Sequence, residues 1–422
     1  MKNRYAHGKP RLVLIGNGMA GIRTLEELLA IAPDRYQISV IGEENHGNYN
    51  RIMLSPVLAG EKNLDQIILN GEDWYAQHGI QLFKGEKAMQ IDRIHRRIHT
   101  DSGLIIPYDK LILATGSRPA RIAVPGADLH NILTFREIRD VNRMLQLSQK
   151  LRHAAVIGGG LLGLEAANGL RQQGMQVTVV HSSRYLLNKQ LDETAGRMLE
   201  KTLRDKGIDF CMNARTSRIC DDGHGNAHSV HFSDGRKLEA DMLVLATGIV
   251  PNVELARDSG LQCDNGILVN DTLQTFDPSI YAVGECVQHR GQLFGLVAPL
   301  YDQARVCANQ LAEMGIARYV QKAQATKLKI TGINVFSAGN FMGGEGTEAI
   351  TLHDRALGHY KKLVLKDGHL EGVILYGDTQ DGAWLFDLIQ QRRDITRWRD
   401  QLIFGKDFCQ EDAQHAPVSA AA

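Results

Sequence analysis

Short runs of apolar, β-branched residues alternate with helical patterns in the first half of the chain. Residues 11–15 form one such run and residues 37–41 another, and each is typical of a buried parallel strand. Between them, apolar side chains recur at helical spacing from Ile22 to about Ala32. Strand, helix and strand in this order predict a βαβ unit, and therefore an α/β fold built on a parallel sheet.

A glycine-rich turn joins the first strand to the helix. It consists of Gly16, Asn17, Gly18, Met19, Ala20 and Gly21, which is the G-x-G-x-x-G pattern in its required position. The first glycine permits a tight turn, the second lets the backbone approach a pyrophosphate, and the third lets helix and strand pack closely. The pyrophosphate would lie at the positive end of the helix. Glu43, about 20 residues further on, would accept hydrogen bonds from a ribose, so we predict a dinucleotide site.

The same unit recurs in the middle of the chain. Residues 153–157 and 176–180 predict two strands, and a helix through Glu165 lies between them. The turn is again glycine-rich and reads Gly158, Gly159, Gly160, Leu161, Leu162 and Gly163. Two such units predict two dinucleotide-binding domains in one chain. A nucleotide that stays bound and one that exchanges would be FAD and a nicotinamide nucleotide.

A second doubled feature indicates how the two domains are connected. Residues 111–116 and residues 243–248 both read as a short apolar strand that ends in Ala-Thr-Gly. Each follows a polar, hairpin-like stretch and has a proline close behind it, Pro119 or Pro251. We interpret these as the points where the chain passes between the domains, so that the second domain is inserted within the first.

The predicted architecture is therefore α/β, with two Rossmann-like domains of the three-layer ββα type and a small α+β C-terminal domain. The C-terminal domain is predicted to have strands at 328–335, 361–365 and 372–376 and a helix at 384–391. The predicted boundaries are 1–119 and 251–318 for the FAD-binding domain, 120–250 for the NAD(P)H-binding domain, 319–410 for the C-terminal domain, and 411–422 for a disordered tail.

Composition and charge narrow the range of partners. The 422 residues include 48 Lys and Arg and 48 Asp and Glu, so zero net charge gives no reason to expect nucleic acid or an acidic membrane surface as a partner. The six cysteines contain no C-x-x-C pair, which argues against a zinc ribbon, an iron–sulfur ligand set and a secreted disulfide framework. No apolar stretch reaches about 18 residues. We expect no metal, no membrane contact and a cytoplasmic location.

Four further segments carry a resemblance to a known family. They are Tyr49-Asn50-Arg51-Ile52-Met53-Leu54-Ser55, Gly284-Glu285-Cys286, Gly295-Leu296-Val297-Ala298-Pro299 and Thr326-Lys327-Leu328-Lys329. With the two glycine turns, they make the chain similar to the FAD/NAD(P)H oxidoreductases of the pyridine nucleotide-disulfide reductase superfamily. More narrowly, it resembles the flavoprotein module of bacterial assimilatory nitrite and nitrate reductases.

The resemblance implies a set of cofactor-binding residues. Glu285 would bond the ribityl hydroxyls, and Pro299 would be the first residue of a helix to Gly315 whose positive N-terminus faces the flavin. The residues for FAD are Gly16, Gly18, Met19, Ala20, Gly21, Glu43, Arg51, Ser55, Thr115, Gly116, Arg118, Gly284, Glu285, Val297 and Pro299. Those for the nicotinamide nucleotide are Gly158, Gly160, Leu161, Leu162, Gly163, Glu165, His181, Arg184 and Gly248. The cofactors carry the chemistry, so no catalytic side chain is expected.

The choice between NADH and NADPH stays open at this point. An acid at the end of the second strand normally binds the ribose 2′-hydroxyl of NAD. Here the place is taken by His181, Ser182, Ser183 and Arg184, so no carboxylate would repel a 2′-phosphate. Arg184 and the serines would suit that phosphate, but a loop that tolerates either nucleotide has the same sequence.

The resemblance implies that electrons pass from NAD(P)H through FAD to a redox partner, with an assimilatory nitrate or nitrite reductase catalytic subunit as the leading candidate. A rubredoxin or ferredoxin reductase is the alternative, although Pro56 stands where those relatives usually have Lys. No cysteine precedes Cys211, which disfavours thiol chemistry at the flavin, and only Cys409 follows Cys307, so we expect no iron–sulfur cluster or sirohaem here. A flavoprotein redox switch with little turnover is the competitor from another class.

Three other clusters are weaker candidates for function. His95 with His99 lies in an expected hairpin, and His224, His228 and His231 lie around a glycine-rich turn, so neither group predicts a metal site. Arg392, Arg393, Arg397 and Arg399 flank Trp398. This basic segment predicts either a solvated helix face or a docking surface for an acidic redox partner.

Overall fold

The structure is a computed structural model that describes residues 8–328, 330 and 332–409. The described chain divides into two compact units. The larger unit comprises 8–158, 166–177 and 216–321, and the smaller unit comprises 159–165, 178–215 and the described part of 322–409. The predicted tail at 411–422 and Lys329 of the fourth motif lie outside the described residues.

Parallel strands and covering helices make up the first part of the larger unit. In chain order its elements are β1 (Arg11–Ile15), α1 (Met19–Ile31), β2 (Gln37–Gly42), β3 (Asn48–Tyr49), α2 (Leu54–Leu58), β4 (Ile68–Asn70), α3 (Glu72–Gln77), β5 (Gln81–Lys84), β6 (Ala88–Asp92), β7 (Arg97–Thr100), β8 (Ile105–Pro107), β9 (Lys110–Leu113), β10 (Ser117–Pro119), β11 (Ile132–Thr134), α4 (Ile138–Ser148) and β12 (His153–Ile157).

Helix α5 (Leu161–Gln172) and strand β13 (Gln176–Val180) each contain residues of both units. After the stretch 178–215, the larger unit resumes with β15 (Thr216–Asp221), β16 (Ala227–Phe232), β17 (Lys237–Glu239), β18 (Met242–Leu245), β19 (Ile249–Pro251), α7 (Glu254–Asp258), β20 (Ile267–Leu268), β21 (Ile280–Ala282), β22 (Val287–His289), β23 (Gln292–Leu293) and α8 (Val297–Leu311).

The first glycine turn is attached to a buried parallel sheet in the order β21-β9-β1-β2-β5. Leu12, Val13 and Leu14 of β1 are almost fully buried, as the apolar run predicts, and β1 pairs in parallel with β2 and β9. Strands β6, β7 and β8 form a separate antiparallel sheet, which confirms the hairpin that was predicted around His95 and His99. The mixed α/β fold with parallel sheets is therefore as predicted.

The second glycine turn follows an equivalent arrangement. Strand β12 pairs in parallel with β18, and β18 pairs in parallel with β11. The two strands that follow the Ala-Thr-Gly segments, β10 and β19, pair with each other in antiparallel register, Ser117 opposite Pro251. The chain therefore leaves and re-enters through adjacent strands, which is the geometry that an inserted domain needs, while the domain boundaries themselves stay a prediction.

The smaller unit contains α6 (Glu193–Asp205), β14 (Ile208–Cys211), β24 (Ala325–Lys327), β25 (Val335–Gly339), β26 (Glu348–Asp354), β27 (His359–Lys366), β28 (His369–Tyr376) and α9 (Gly382–Gln391). Its main sheet is antiparallel, in the order β24-β25-β28-β27-β26, and α9 packs on it through Leu385 and Leu388. The sheet and α9 have the α+β composition predicted for the C-terminal part of the chain, while the predicted boundaries of that domain stay a prediction.

This sheet differs from the prediction in two ways. Of the described residues in the strand expected at 328–335, only Val335 belongs to a strand, β25, while Ile330 and Ile333 form an isolated bridge and Gly332 has a φ of +80°. The edge strand β26 was not predicted, because its side chains are exposed or half-buried along its whole length. An edge strand of this kind is held by its neighbour β27 and lacks a strong apolar signal.

Candidate functional site

The first glycine turn is a backbone cradle with one closed and one open side. A Cβ atom at Gly16 would lie 2.1 Å from the carbonyl oxygen of Ala114, and Gly16 has a φ of +107°. At Gly21 a Cβ would meet the Gly16 carbonyl oxygen at 2.7 Å, so helix and strand pack too closely for a side chain. Gly18 is the contrast, since a Cβ there would have nothing within 4 Å. The turn is thus packed against the protein and open on the side that a ligand would approach.

Asn17, the residue between the first two glycines, is held from three sides. Its amide nitrogen donates to the His46 carbonyl at 3.1 Å, and its side-chain oxygen accepts from the Tyr75 hydroxyl at 2.6 Å. Its backbone carbonyl accepts from the Asn48 amide at 3.0 Å. These contacts fix the turn before any ligand binds, which lowers the entropic cost of binding.

The second turn repeats the arrangement of the first. A Cβ atom at Gly158 would lie 2.2 Å from the Ala246 carbonyl oxygen, and Gly158 has a φ of +127°. Gly160 again has open space where a side chain would be, and α5 begins at the next residue, Leu161. Leu162 and Gly163 belong to the first turn of that helix. Both predicted dinucleotide turns therefore have the backbone geometry that a pyrophosphate requires.

The His181 side chain is hydrogen-bonded to the backbone of the second turn. Its Nδ1 accepts a hydrogen bond from the Gly159 N–H at 3.2 Å, and its Nε2 donates to the Tyr185 carbonyl at 3.1 Å, which together define a neutral ring. The residue is 8% exposed. Sequence reasoning predicted that His181 binds the nucleotide; the structure gives both its ring nitrogens protein partners, so its contribution is to hold the turn.

This geometry predicts a pH dependence. Burial lowers the pKa of His181 below its ordinary value of 6.5. The unfolded chain therefore binds more protons than the folded chain between the two pKa values, and the free energy of unfolding should fall as the pH drops through that window. The variant His181→Asn keeps an acceptor for Gly159 but does not titrate. In thermal denaturation between pH 7.5 and 5, it should lose less stability than the wild type.

The matched control for this experiment is His224→Asn. His224 is exposed in the turn between β15 and β16, so its replacement should leave the pH dependence of the melting temperature unchanged. If His181→Asn and the wild type lose stability equally on acidification, the neutral buried ring does not control this transition.

The Ala-Thr-Gly turn at the end of β9 is hydrogen-bonded to the segment that follows β19. The Thr115 hydroxyl donates to the Asn252 carbonyl at 2.7 Å, and the Asn252 amide donates to the Thr115 carbonyl at 2.8 Å. Arg118 reaches the same segment, with Nη1 3.2 Å from Asn252 Oδ1 and Nη2 2.8 Å from Glu254. Thr115 and Arg118 therefore both contact the segment that follows β19, and the role of Thr115, Gly116 and Arg118 in FAD binding stays a prediction.

Arg51 and the acids after β2 take different positions. Arg51 donates to Glu44 Oε1 at 2.6 Å and to the Arg136 carbonyl at 2.7 Å. Glu43, the predicted ribose acceptor, is exposed and pairs with Lys87 at 2.9 Å. Glu44, which the sequence analysis passed over, also accepts from the Tyr49 hydroxyl at 2.8 Å. Two adjacent acids thus follow the strand, one free to face solvent and one fixed by Arg51.

Glu285 is the centre of a buried polar cluster. Its Oε2 accepts from the Ser117 hydroxyl at 2.7 Å and from Arg136 Nη2. Arg136 follows β11, far from Glu285 in sequence, and sequence reasoning did not find it. Its Nε is buried without a hydrogen-bond partner among the described residues, and a Cβ atom at Gly116 would lie 3.9 Å from its Nη2. A buried N–H donor without a partner, next to the Ala-Thr-Gly turn, is suited to bind an acceptor group of a cofactor.

The residues before and within α8 complete the larger unit's site. Gly284, with a φ of +96°, donates its N–H to Gln303 Oε1 at 2.8 Å and lies against Ala20 of the first turn. Cys286 is fully buried, and burial raises the pKa of its thiol, which fits a packing role. Ser55 is buried in α2.

The predicted start of α8 needs a correction. The helix begins at Val297 and ends at Leu311, so Pro299 occupies the third position and not the first. Proline is tolerated there because the first four N–H groups of a helix have no partner within the helix. Gly315 therefore lies beyond the helix end.

The predicted nucleotide-binding residues that remain are Glu165, Gly248 and Arg184. Glu165 is buried in α5. Gly248 has a φ of +123° with open space at its Cβ position, and its carbonyl accepts from the Ala120 N–H at 2.9 Å. Arg184 is exposed and pairs with Glu193 at 3.0 Å.

One interpretation of the basic segment near the C-terminus was a solvated helix face, and the structure shows that the segment does not continue helix α9. Helix α9 ends at Gln391, and Arg392 takes a left-handed conformation with a φ of +48°, which stops the helix. Arg393 and Arg397 stack on the buried Trp398, with guanidinium carbons 4.8 and 4.4 Å from the ring centroid. A docking role for this segment stays a prediction.

Within the described residues, no group of His, Cys, Asp or Glu side chains is arranged to hold a metal ion. In the same part of the chain, no helix is both long enough and apolar enough to span a bilayer. The six cysteines all lie in the described part of the chain, and none of them forms a disulfide.

Two glycine turns with the backbone geometry that a pyrophosphate requires, each at the end of a parallel strand, are typical of the class of proteins that bind two dinucleotides. The sequence matches the family described as pyridine nucleotide-disulphide oxidoreductase over residues 10–310, and the chain belongs to this family. This family of oxidoreductases uses FAD and NAD(P)H. Residues 325–393 match the rubredoxin NAD⁺ reductase C-terminal domain, in agreement with the α+β sheet described above.

Individual proteins of known sequence or structure are similar to this chain along most of its length. A nitrite reductase [NAD(P)H] of Bacillus subtilis is 46% identical over 389 residues, which are 92% of this chain and 48% of that protein. An assimilatory nitrate reductase electron transfer subunit of Bacillus subtilis is 47% identical over 395 residues, 94% of this chain and 51% of that protein. A solved ferredoxin reductase for the CYP199A2 system of Rhodopseudomonas palustris is 26% identical with a TM-score of 0.81, covering 93% of this chain and 99% of that one. The chain thus spans about half the length of these two curated relatives.

Proposed function

We propose that this chain is a cytoplasmic flavoprotein that carries electrons from NADH or NADPH to the catalytic subunit of an assimilatory nitrate or nitrite reductase. The observation that carries the proposal is the identity of 46–47% with two nitrogen-assimilation proteins over more than nine-tenths of the chain. Six cysteines that form no disulfide suit a reducing compartment.

The residues of the larger unit divide the work of holding FAD. Gly16 and Gly18 form the cradle for its pyrophosphate, and Glu285, fixed by Arg136 and Ser117, would accept hydrogen bonds from hydroxyls of the ribityl chain. When bound, FAD supplies a group that takes two electrons as hydride and returns them one at a time. The second turn, with Gly158 and Gly160, would bind the nicotinamide nucleotide that exchanges.

A rubredoxin or ferredoxin reductase is the second candidate. The match of residues 325–393 to the rubredoxin NAD⁺ reductase C-terminal domain favours it, as does the similarity to a ferredoxin reductase along nearly the whole chain. Both candidates use the same cofactor sites and differ in the electron acceptor.

Acceptor reconstitution tests the proposal. The FAD-loaded chain is mixed with a purified nitrate reductase catalytic subunit, a sirohaem nitrite reductase, rubredoxin or a [2Fe–2S] ferredoxin, and NADH and NADPH oxidation is followed at 340 nm. We expect fast oxidation with the nitrate or nitrite reductase protein. Ferricyanide serves as the control for flavin reduction.

Each other outcome has a defined meaning. Fast oxidation only with rubredoxin or ferredoxin would replace the first candidate by the second. Slow flavin bleaching by both nucleotides, with a long-lived charge-transfer band and little ferricyanide reduction, would contradict both and favour a redox switch.

A further inference from the structure

The end of β13 lacks the acid that normally selects NAD. The four residues after the strand, His181 to Arg184, contain no carboxylate. The sequence alone therefore offers no carboxylate to accept the ribose 2′-hydroxyl and none to repel a 2′-phosphate. The structure brings a carboxylate to this place from another element.

The loop after β13 is fixed directly on the second glycine turn. His181 accepts a hydrogen bond from the Gly159 N–H, and the Leu187 N–H donates to the Gly159 carbonyl at 3.1 Å. A Cβ atom at Gly159 would lie 2.8 Å from the His181 ring. The loop between these two anchors, which includes Arg184, is therefore held beside the turn that binds the nucleotide.

Helix α6 packs against the same loop. A Cβ atom at Gly196 would lie 2.7 Å from both the Leu186 carbonyl oxygen and the Tyr185 ring, so only glycine permits this approach. The start of α6 is fixed by Asp192, whose Oδ1 accepts from the Ala195 N–H at 3.0 Å. Asp192 Oδ2 accepts from the Tyr360 hydroxyl of β27 at 2.7 Å. The first turn of α6 thus has a defined position next to the loop.

Glu193, the first residue of α6, projects its carboxylate to Arg184. Glu193 Oε2 lies 3.0 Å from Arg184 Nη2, while Oε1 accepts from Arg197 Nε at 2.9 Å and from Nη2 at 2.8 Å. One oxygen is therefore held by the helix's own arginine, and the other is directed to the residue that the sequence offers for a 2′-phosphate.

We propose that Glu193 is the residue that determines nucleotide specificity, so that the second site selects NADH over NADPH. Its carboxylate supplies in space the acid that β13 lacks, accepts the ribose 2′-hydroxyl, and repels a 2′-phosphate while it keeps Arg184 engaged. The inference rests on the assignment of the second turn to the nicotinamide nucleotide in the proposed function.

Two adenosine nucleotides test this without catalysis. Binding of 5′-AMP and of 2′,5′-ADP to the FAD-loaded chain is measured by titration calorimetry. The wild type should bind 2′,5′-ADP no more tightly than 5′-AMP. Glu193→Gln should raise the affinity for 2′,5′-ADP by about five- to tenfold and should not raise that for 5′-AMP, since removal of one nearby charge is felt mainly by the phosphate.

Two further variants make the result specific. Arg184→Gln added to Glu193→Gln should cancel the gain, because the released guanidinium is what binds the phosphate. Glu200→Gln is the matched control, since Glu200 lies on the same helix and pairs with Arg204 in the same way, Oε1 to Nε at 3.0 Å and to Nη2 at 2.8 Å. It changes the charge equally and should leave both affinities as in the wild type.

The outcomes separate this inference from its basis. The role of Glu193 would be overturned if the wild type bound 2′,5′-ADP more tightly than 5′-AMP, or if Glu193→Gln and Glu200→Gln had equal effects. Neither result would affect the assignment of the second turn to the nucleotide. If Gly160→Ala leaves the binding of both nucleotides unchanged, the second turn is not the nucleotide site, and the assignment made under the proposed function fails instead.

Discussion

Gly16→Ala and Gly18→Ala, two substitutions in one turn, should both weaken FAD binding strongly, but only Gly16→Ala should also destabilise the fold. At Gly16 the added methyl group would lie 2.1 Å from the Ala114 carbonyl oxygen, on a residue whose φ of +107° disfavours any side chain. The Ala114 carbonyl group belongs to the backbone and cannot move aside as a flexible side chain could. The ends of β1 and β9 would therefore have to separate. We expect a loss of at least about 3 kcal/mol in the free energy of unfolding.

Gly18→Ala changes only the open side of the cradle. Gly18 has a φ of −85° and a ψ of 179°, which any residue adopts, and its Cβ position has free space around it. The apo protein should therefore keep its melting temperature. The methyl group would stand where the backbone approaches the pyrophosphate, so FAD affinity should fall by about 100-fold, or roughly 2.7 kcal/mol.

The second turn offers the same contrast for the other nucleotide. Gly158→Ala should destabilise the protein, because its Cβ would lie 2.2 Å from the Ala246 carbonyl oxygen, and Gly160→Ala should not. Gly160→Ala should retain FAD and lose NADH binding, whereas Gly18→Ala should do the reverse. Flavin content after gel filtration, thermal denaturation of apo protein and calorimetry with 5′-AMP measure the three quantities. Equal loss of both nucleotides in either open-side variant would contradict the assignment of one turn to each.

The parts of the fold that could be predicted from the sequence are those determined by a few consecutive residues. Strands β1 and β12 have the predicted bounds, since a run of apolar β-branched residues before a glycine turn leaves few alternatives. The roles of Gly16 and Gly158 follow from the same local pattern, because a tight turn from strand to helix needs a positive φ. Backbone geometry of this kind is encoded within a few residues.

What the sequence left out depends on residues that are distant along the chain. Arg136 and Glu285 form an ion pair although they are 149 residues apart in the sequence, and no periodicity in either segment predicts that they meet. Glu193 reaches Arg184 only because Gly196 lets α6 approach the loop. His181 was assigned to the nucleotide from its place after β13, yet burial turned both its nitrogens to the protein. Side-chain partnerships are set by packing between elements, which a single sequence does not display.

The Arg136–Glu285 pair is the second place where a large effect is expected. Both side chains are about 85% buried, with 15% and 14% exposed, and the Ser117 hydroxyl is the other donor to the same carboxylate oxygen. A buried ion pair contributes little over an apolar replacement of both partners, but removal of one partner leaves an uncompensated charge. The loss should therefore appear in single variants and shrink in the double one.

We expect Arg136→Met to lower the free energy of unfolding of the apo protein by about 3 kcal/mol, because the Glu285 carboxylate keeps only the Ser117 donor. Glu285→Gln should cost about 2 kcal/mol, because the guanidinium stays buried beside a neutral amide. The double variant should cost about 2 kcal/mol less than the sum of the two, which is the coupling expected for residues in direct contact. Urea denaturation followed by circular dichroism measures all four proteins.

The control cycle uses the exposed pair Arg121 and Asp128, which lie 2.9 Å apart with 68% and 91% of their side chains exposed. Arg121→Met and Asp128→Asn should each change the free energy of unfolding by less than about 1 kcal/mol, with negligible coupling, because solvent screens the charges. Additive effects of Arg136→Met and Glu285→Gln would contradict the pairing, since two charges that face each other in a buried site cannot be removed independently.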